Sequence, residues 1–232
     1  MTHFPIAHAL MRRPVIASGL AALMALMALP DAAAAQDARF NVSLGDRAIG
    51  TVTWSPGSMR TETTNAPLGI GNGSYTGQLK RGGGDALDYS AHSLSSSEDR
   101  RITVRFDGRD PLETTVTPDS ERTEMSDAAA VTDSVVDPVR AFGALLAVRE
   151  CPSVRIYDGR RVARVTTEGA VSADGSLTCE GGYRVDQGAT HLGPLGIRSA
   201  RLTLHYAATG GGRFALGRMD LSAGPFTLAV AR

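Results

Sequence analysis

The stretch Ile102-Thr103-Val104-Arg105-Phe106-Asp107-Gly108 alternates apolar and polar side chains and then stops at a turn-forming pair. A strand sends successive side chains to opposite faces, so this pattern buries Ile102, Val104 and Phe106 on one side and wets the other. Asp-Gly suits a tight hairpin, because a type I′ turn needs positive φ at both central positions. The chain then leads toward a strand over Leu112–Thr117. The same chemistry recurs at Asp158-Gly159, after Val154-Arg155-Ile156-Tyr157, and at Asp174-Gly175, ahead of Leu177–Cys179. Three such turns predict an antiparallel meander.

Upstream, Phe40, Val42 and Leu44 alternate ahead of Gly45-Asp46-Arg47, and Ile49, Val52 and Trp54 follow as the second arm of a hairpin. Downstream, Ile197–Tyr206, Phe214–Leu221 and Phe226–Val230 read as strands, separated by Gly210-Gly211-Gly212 and Gly224-Pro225. One segment changes period. Asp137-Pro138 supplies a helix N-cap and a first-turn proline, after which Val139, Phe142, Leu145 and Leu146 share a face, and Cys151-Pro152 is the expected close. Asp119–Val136, rich in Thr, Ser, Asp and Ala, reads as a long connection. The expected fold is all-β dominated, an antiparallel meander forming a curved sheet or barrel-like fold, with one short amphipathic helix that plugs or flanks it.

The 232 residues are 42% hydrophobic and 21% charged, with 24 basic side chains against 24 acidic ones. That is too apolar for disorder, and it lacks the basic excess that nucleic-acid binding needs, so no nucleic-acid partner is expected. Arg12 and Arg13 precede an apolar run from Val15 to Leu29 and small residues through Ala35, the pattern of a secretory signal over residues 1–35. Residues 36–232 remain as a single β-rich domain of 197 residues with a formal charge of −1. The apolar run is shorter than the ~20 residues that span a bilayer, so no membrane span is expected in the mature chain. No cysteine stands at the cleavage site for lipidation, so a periplasmic or secreted location is expected.

Export would place Cys151 and Cys179 where disulfides persist, and the two are expected to pair. Closing a segment of this length stabilises a fold by ~3.6 kcal/mol in the chain-entropy account. A redox-active pair would need Cys-x-x-Cys spacing, and a metal site would need further ligands.

The run Asp137-Pro138-Val139-Arg140-Ala141-Phe142, then Cys151, then Val154-Arg155-Ile156-Tyr157-Asp158-Gly159-Arg160-Arg161, resembles the exported proteobacterial domain-of-unknown-function family 3108. Val42-Ser43-Leu44-Gly45 with Ile49-Gly50-Thr51 is similar to that family's first hairpin. The resemblance implies a curved β-sheet or barrel-like fold in the cell envelope, similar in outline to carriers of lipoproteins and other apolar cargo. Val162-Ala163-Arg164 departs from the family pattern, which has an aromatic residue near this point.

Catalytic signals are sparse. His92, His191 and His205 are isolated in sequence, with no Gly-x-Ser-x-Gly or His-Glu-x-x-His nearby. His205 reads as a strand residue facing water, and His92 and His191 as residues of solvated loops. Gly69-Ile70-Gly71-Asn72-Gly73 is followed by a strand pattern and not by a helix, so it reads as a bend rather than a phosphate cradle. Arg81-Gly82-Gly83-Gly84 reads as a loop, and no cofactor is expected.

Arg155, Arg160, Arg161 and Arg164 form the densest basic cluster, and alternation sends Arg160 and Arg161 to opposite sides. The inward one would pair with Asp158 or Glu180, or fix the acidic end of an amphiphile. The leading expectation is non-enzymatic binding of a lipid or other apolar or amphiphilic ligand in the curved sheet. Its candidate residues are Trp54, Phe106, Phe142, Leu145, Tyr157, Arg160 and Arg161; the five apolar ones serve equally as core. The second reading is an envelope interaction or scaffold protein that pairs with a protein partner. An enzyme ranks third.

Overall fold

A computed structural model describes residues 37–69, 71–191 and 196–232. The signal-like stretch 1–35 lies outside them, as does Ile70 within the first glycine-rich bend. Seven strands come first: β1 (Ala38–Leu44), β2 (Arg47–Ser55), β3 (Ser58–Thr63), β4 (Gly73–Arg81), β5 (Ala86–Leu94), β6 (Asp99–Asp107) and β7 (Asp110–Thr117). The helix α1 (Pro138–Leu146) follows, and then β8 (Ala147–Val148), β9 (Ser153–Tyr157), β10 (Arg161–Val171), β11 (Leu177–Gly188), β12 (Ser199–Gly210), β13 (Arg213–Ala223) and β14 (Phe226–Ala231).

All pairings between these strands are antiparallel, in the order β7-β6-β5-β4-β3-β2-β1-β14-β13-β12-β11-β10-β9. Two meanders therefore run away from a shared seam where Val42 of β1 faces Val230 of β14. Short β8 pairs with Phe214 and Ala215 of β13, beyond the point where β14 stops. It also ends α1 at Leu146, five residues before the expected close at Cys151, because Ala147 and Val148 are drawn into the sheet.

The sheet wraps round on itself without closing into a barrel. Laid flat, its edges would stand roughly 58 Å apart at ~4.8 Å per strand. Instead Thr114 of β7 and Tyr157 of β9 share a hydroxyl–hydroxyl bond of 2.9 Å. The gap between the edges is spanned by the Asp119–Val136 connection, which holds three short 3-10 turns. Val135 donates its N–H to the Arg109 carbonyl beside β7, while Val136 pairs with Ile156 of β9.

The Asp-Gly turns differ in detail from the sequence expectation. Asp107 pairs with Asp110, so the two-residue loop is Gly108-Arg109, with Gly108 at φ +57°. At Asp158-Gly159 the loop has four residues, 158–161, and at Asp174-Gly175 it has five, 172–176. In both cases the aspartate accepts local backbone N–H groups, an Asx arrangement that favours a longer loop over a two-residue turn.

Inside the wrap lie Phe40, Tyr89, Val104, Phe106, Leu202, Leu204 and Leu216, all essentially sealed from water. Helix α1 packs against β2 and β4 from one meander and β9 and β13 from the other. Asp137 caps it by accepting the Arg140 N–H at 2.9 Å, with Pro138 in the first turn. Val139, Ala141, Leu145 and Leu146 are buried, and each of the larger three contributes ~1.5–3 kcal/mol by leaving water. The helix thus covers apolar surface that the curved sheet leaves open. Cys151 and Cys179 form the disulfide, with their Cα atoms 5.5 Å apart, tying the segment after β8 to β11, the third strand in from the β9 edge.

Candidate functional site

The apolar candidates read from sequence meet around α1. The Trp54 indole Nε1 donates to the Val139 carbonyl of the helix at 2.8 Å. A Cβ on Gly143 would stand only 2.6 Å from the Trp54 ring, so glycine lets the helix backbone rest against the indole. Phe142 is half-buried and packs edge-on to Phe40, with ring centroids 5.9 Å apart. Phe106 meets Tyr157 at 6.4 Å on one side, and the Arg140 guanidinium lies 4.9 Å from its ring centroid. Leu145 joins the same core. Trp54, Phe40 and Phe106 thereby meet the helix on the concave face, the last through Arg140.

Two depressions among the described residues, of about 350 and 340 Å³, open to solvent. One lies between Asp37–Arg39 and Thr53–Ser55 and touches Trp54; the other lies on the outer face of β4–β7, among Lys80, Asp88, Ser90, Thr103, Arg105 and Glu113. Neither is lined by Phe106, Phe142, Leu145, Tyr157, Arg160 or Arg161.

Arg160, Arg161 and Tyr157 meet at the seam between the two sheet edges. The Tyr157 hydroxyl donates to the Met125 carbonyl and, with its proton so used, accepts from Thr114. Ser126 donates to the Gly159 carbonyl at 3.0 Å and Thr123 to the Arg160 carbonyl at 2.7 Å. Arg160 reaches back to Glu121, bonding its carbonyl and its carboxylate, and Arg100 joins the same carboxylate at 2.7 Å. Burial, with Arg100 beside it, pulls the Arg160 guanidinium below its ordinary pKa. Arg161 is the inward arginine, only 7% exposed, and its partner is Asp158, with Nε 2.8 Å from the carboxylate. Glu180, the other partner considered, lies four strand positions beyond Arg184 on the outer side of β11 and is exposed. Arg160 therefore fastens the connecting segment to the hairpin, while Arg161 is paired within it.

The histidines differ from their sequence reading in two cases. His205 is a strand residue on the outer face, as expected, with Nε2 3.5 Å from Asp220. His92 lies within β5, not in a loop, 2.9 Å from Asp99. His191 is no solvated loop residue: it bridges to Ile197 and its ring bonds the Tyr183 hydroxyl. Sequence reasoning missed it because no spacing rule announces the bridge to Ile197 or the bond to the Tyr183 hydroxyl of β11. None of the three rings bonds a serine or cysteine among the described residues. Nor do those residues contain a group of three or more His, Cys, Asp or Glu side chains able to hold a metal ion.

His191 carries a pH dependence. Burial first, and then the charge of Arg161, lower its pKa from the ordinary 6.5 to about 4. Between those values the unfolded chain takes up a proton that the folded chain refuses. The stabilisation is thus fully present above the unfolded value and is lost as pH falls through the folded one. Moving from neutral pH to about 4.5 should cost roughly 2–3 kcal/mol through this residue. Urea titrations at both pH values measure it as the difference between the native chain and His191→Gln. Equal acid sensitivity of the two proteins would contradict it.

Comparison with protein-family models, with curated proteins and with solved structures finds no match to the chain.

Proposed function

We propose that the chain is an exported interaction module of the cell envelope that works through its outer surface. The observation that carries this reading is the occupied concave face, where α1 and its partners Trp54, Phe40 and Phe106 take up the room a carrier would reserve for cargo. Pairing at a free sheet edge is a poor route, since the Val135-Val136 stretch already bonds at Arg109 beside β7 and at Arg155 and Tyr157 of β9. What remains is the face of the sheet. The leader-like residues 1–35 and the Cys151–Cys179 disulfide support an oxidising compartment outside the cytoplasm. Membership of family 3108 belongs to the same proposal, supported by the Asp137-Pro138 helix start, Cys151 and the Tyr157–Arg161 hairpin.

Native mass spectrometry of protein purified gently from the envelope, followed by organic extraction, tests the reading. Bare protein that also ignores envelope lipid extract is the expected result. A reproducible co-purifying lipid-like mass would replace the interaction module with an amphiphile carrier.

A further inference from the structure

The outer face of the sheet handles charge in two different ways. Across β4–β7, Lys80 faces Asp88, Asp88 faces Arg105 and Arg105 faces Glu113, a ladder in which every neighbour has the opposite sign. Across β9–β11 the corresponding rung is Arg155, Arg164 and Arg184, three arginines in direct register. Like charges directly opposite one another oppose sheet formation, so a row of three is a cost that the other meander avoids.

The row is incompletely neutralised. A bulge in the β10–β11 register inserts Asp186 opposite the Val162–Ala163 step, and its carboxylate lies among all three guanidinium groups. The separations are 3.5 Å to Arg164 and 3.8 Å to both Arg155 and Arg184, close enough for attraction without a hydrogen bond. Asp133 contacts Arg155 alone. On β12 the residue facing Arg184 is Ser199, and Arg201, two residues further along, extends the basic surface diagonally, with Gly182 and Ser222 directly opposite it and so no carboxylate in register on either side. Three guanidinium groups thus share two carboxylates and Arg201 contacts neither, while the Arg164 and Arg184 side chains are 44% and 67% exposed.

We propose that Arg155, Arg164, Arg184 and Arg201 form a docking row for an acidic peptide segment of a partner protein. This rests on the interaction-module reading and gives it a surface. Guanidinium forks match carboxylates bidentately, and Arg155 and Arg184 stand ~10 Å apart across two strand spacings, within reach of successive acidic side chains of an extended peptide. A lipid surface fits less well. Four residues along the same strands, ~13 Å away, Glu168 faces Glu180, with Asp220 in the same row beyond Thr203. A flat anionic bilayer laid on this face would meet those carboxylates, whereas a narrow chain running across the strands along the arginine row would not.

The test uses a fluorescein-labelled decapeptide of alternating glutamate and serine, the same peptide with glutamine for glutamate, and phosphatidylglycerol vesicles. The full-length protein should bind the glutamate peptide saturably at 1:1, with an affinity that falls as salt rises. Arg164→Gln with Arg184→Gln should weaken it about tenfold or more, and Arg201→Gln alone by less. Tm of the double variant should hold or rise, since directly opposed like charges are removed. Absence of saturable peptide binding, equal binding by the double variant, or stronger binding of vesicles would overturn the proposal, as would a fall in Tm with peptide binding unchanged. These failures leave the interaction module free to use another face, while a lipid found by native mass spectrometry removes the module itself.

Discussion

Replacing Cys151 and Cys179 together by alanine should lower the free energy of unfolding by about 3–4 kcal/mol, a large fraction of what a domain this size possesses. The crosslink joins residues 28 apart in sequence and pins the exit from α1 and β8 to β11, whose Cys179 is sealed from water. Most of the effect is expected in the unfolded chain, which gains the freedom the disulfide denies it. Two readouts follow. The urea midpoint should fall, and the m-value should rise, because an uncrosslinked unfolded chain exposes more surface. Alkylation of the unreduced protein unfolded in urea should label no thiol. A variant losing less than about 1 kcal/mol would show that native packing around Cys179 had relaxed to compensate, leaving little to the loop-closure account.

The sequence disclosed the parts of this fold that are written locally. Strict alternation in Phe40–Leu44 and Ile102–Phe106 placed Phe40, Val104 and Phe106 on the inner face, where they are buried. The Asp137-Pro138 pair located the helix start to the residue, since an N-cap and a first-turn proline act within one turn. Opposite facing of Arg160 and Arg161 marks one of them as the inward arginine, and of the two carboxylates the sequence offers it, Asp158 and Glu180, the structure pairs it with Asp158.

What the sequence hid depends on contacts distant along the chain. The Asp119–Val136 connection has no periodicity, yet Thr123 and Ser126 close the seam by bonding backbone carbonyls more than thirty residues away. Arg160 finds Glu121 across 39 residues, a pairing that no spacing rule announces. The arginine row was equally concealed, because Arg155, Arg164 and Arg184 align only once register and the bulge at Asp186 are known. The apolar ligand candidates show a different limit. Trp54, Phe106, Leu145 and Tyr157 are buried and Phe142 half-buried, but whether such residues face a cavity or a helix depends on where α1 docks.

That docking has a single point of failure at Asp137. Its side chain has no exposure, yet it carries out two tasks: one oxygen caps α1 through the Arg140 N–H, and the other contacts the Arg140 guanidinium. Arg140 in turn donates to the Gly108 carbonyl at 2.6 Å and lies over Phe106, fastening the helix to the β6–β7 turn. Asp137→Ala removes the cap and leaves the half-buried guanidinium without its carboxylate, so a loss of about 2–4 kcal/mol is expected. Pairing the change with Arg140→Met should recover part of that loss, because no unpaired charge then remains inside. Trp54 is the only tryptophan of the chain and its indole bonds α1, so its fluorescence reports whether the helix stays seated. Asp137→Ala should shift its emission to the red as the ring meets water, and the double variant should shift it less. Unchanged stability and emission in Asp137→Ala would mean that α1 stays in place by apolar packing alone. The helix would then be seated by Val139, Leu145 and Leu146, with the Asp137–Arg140 pair a passenger on it.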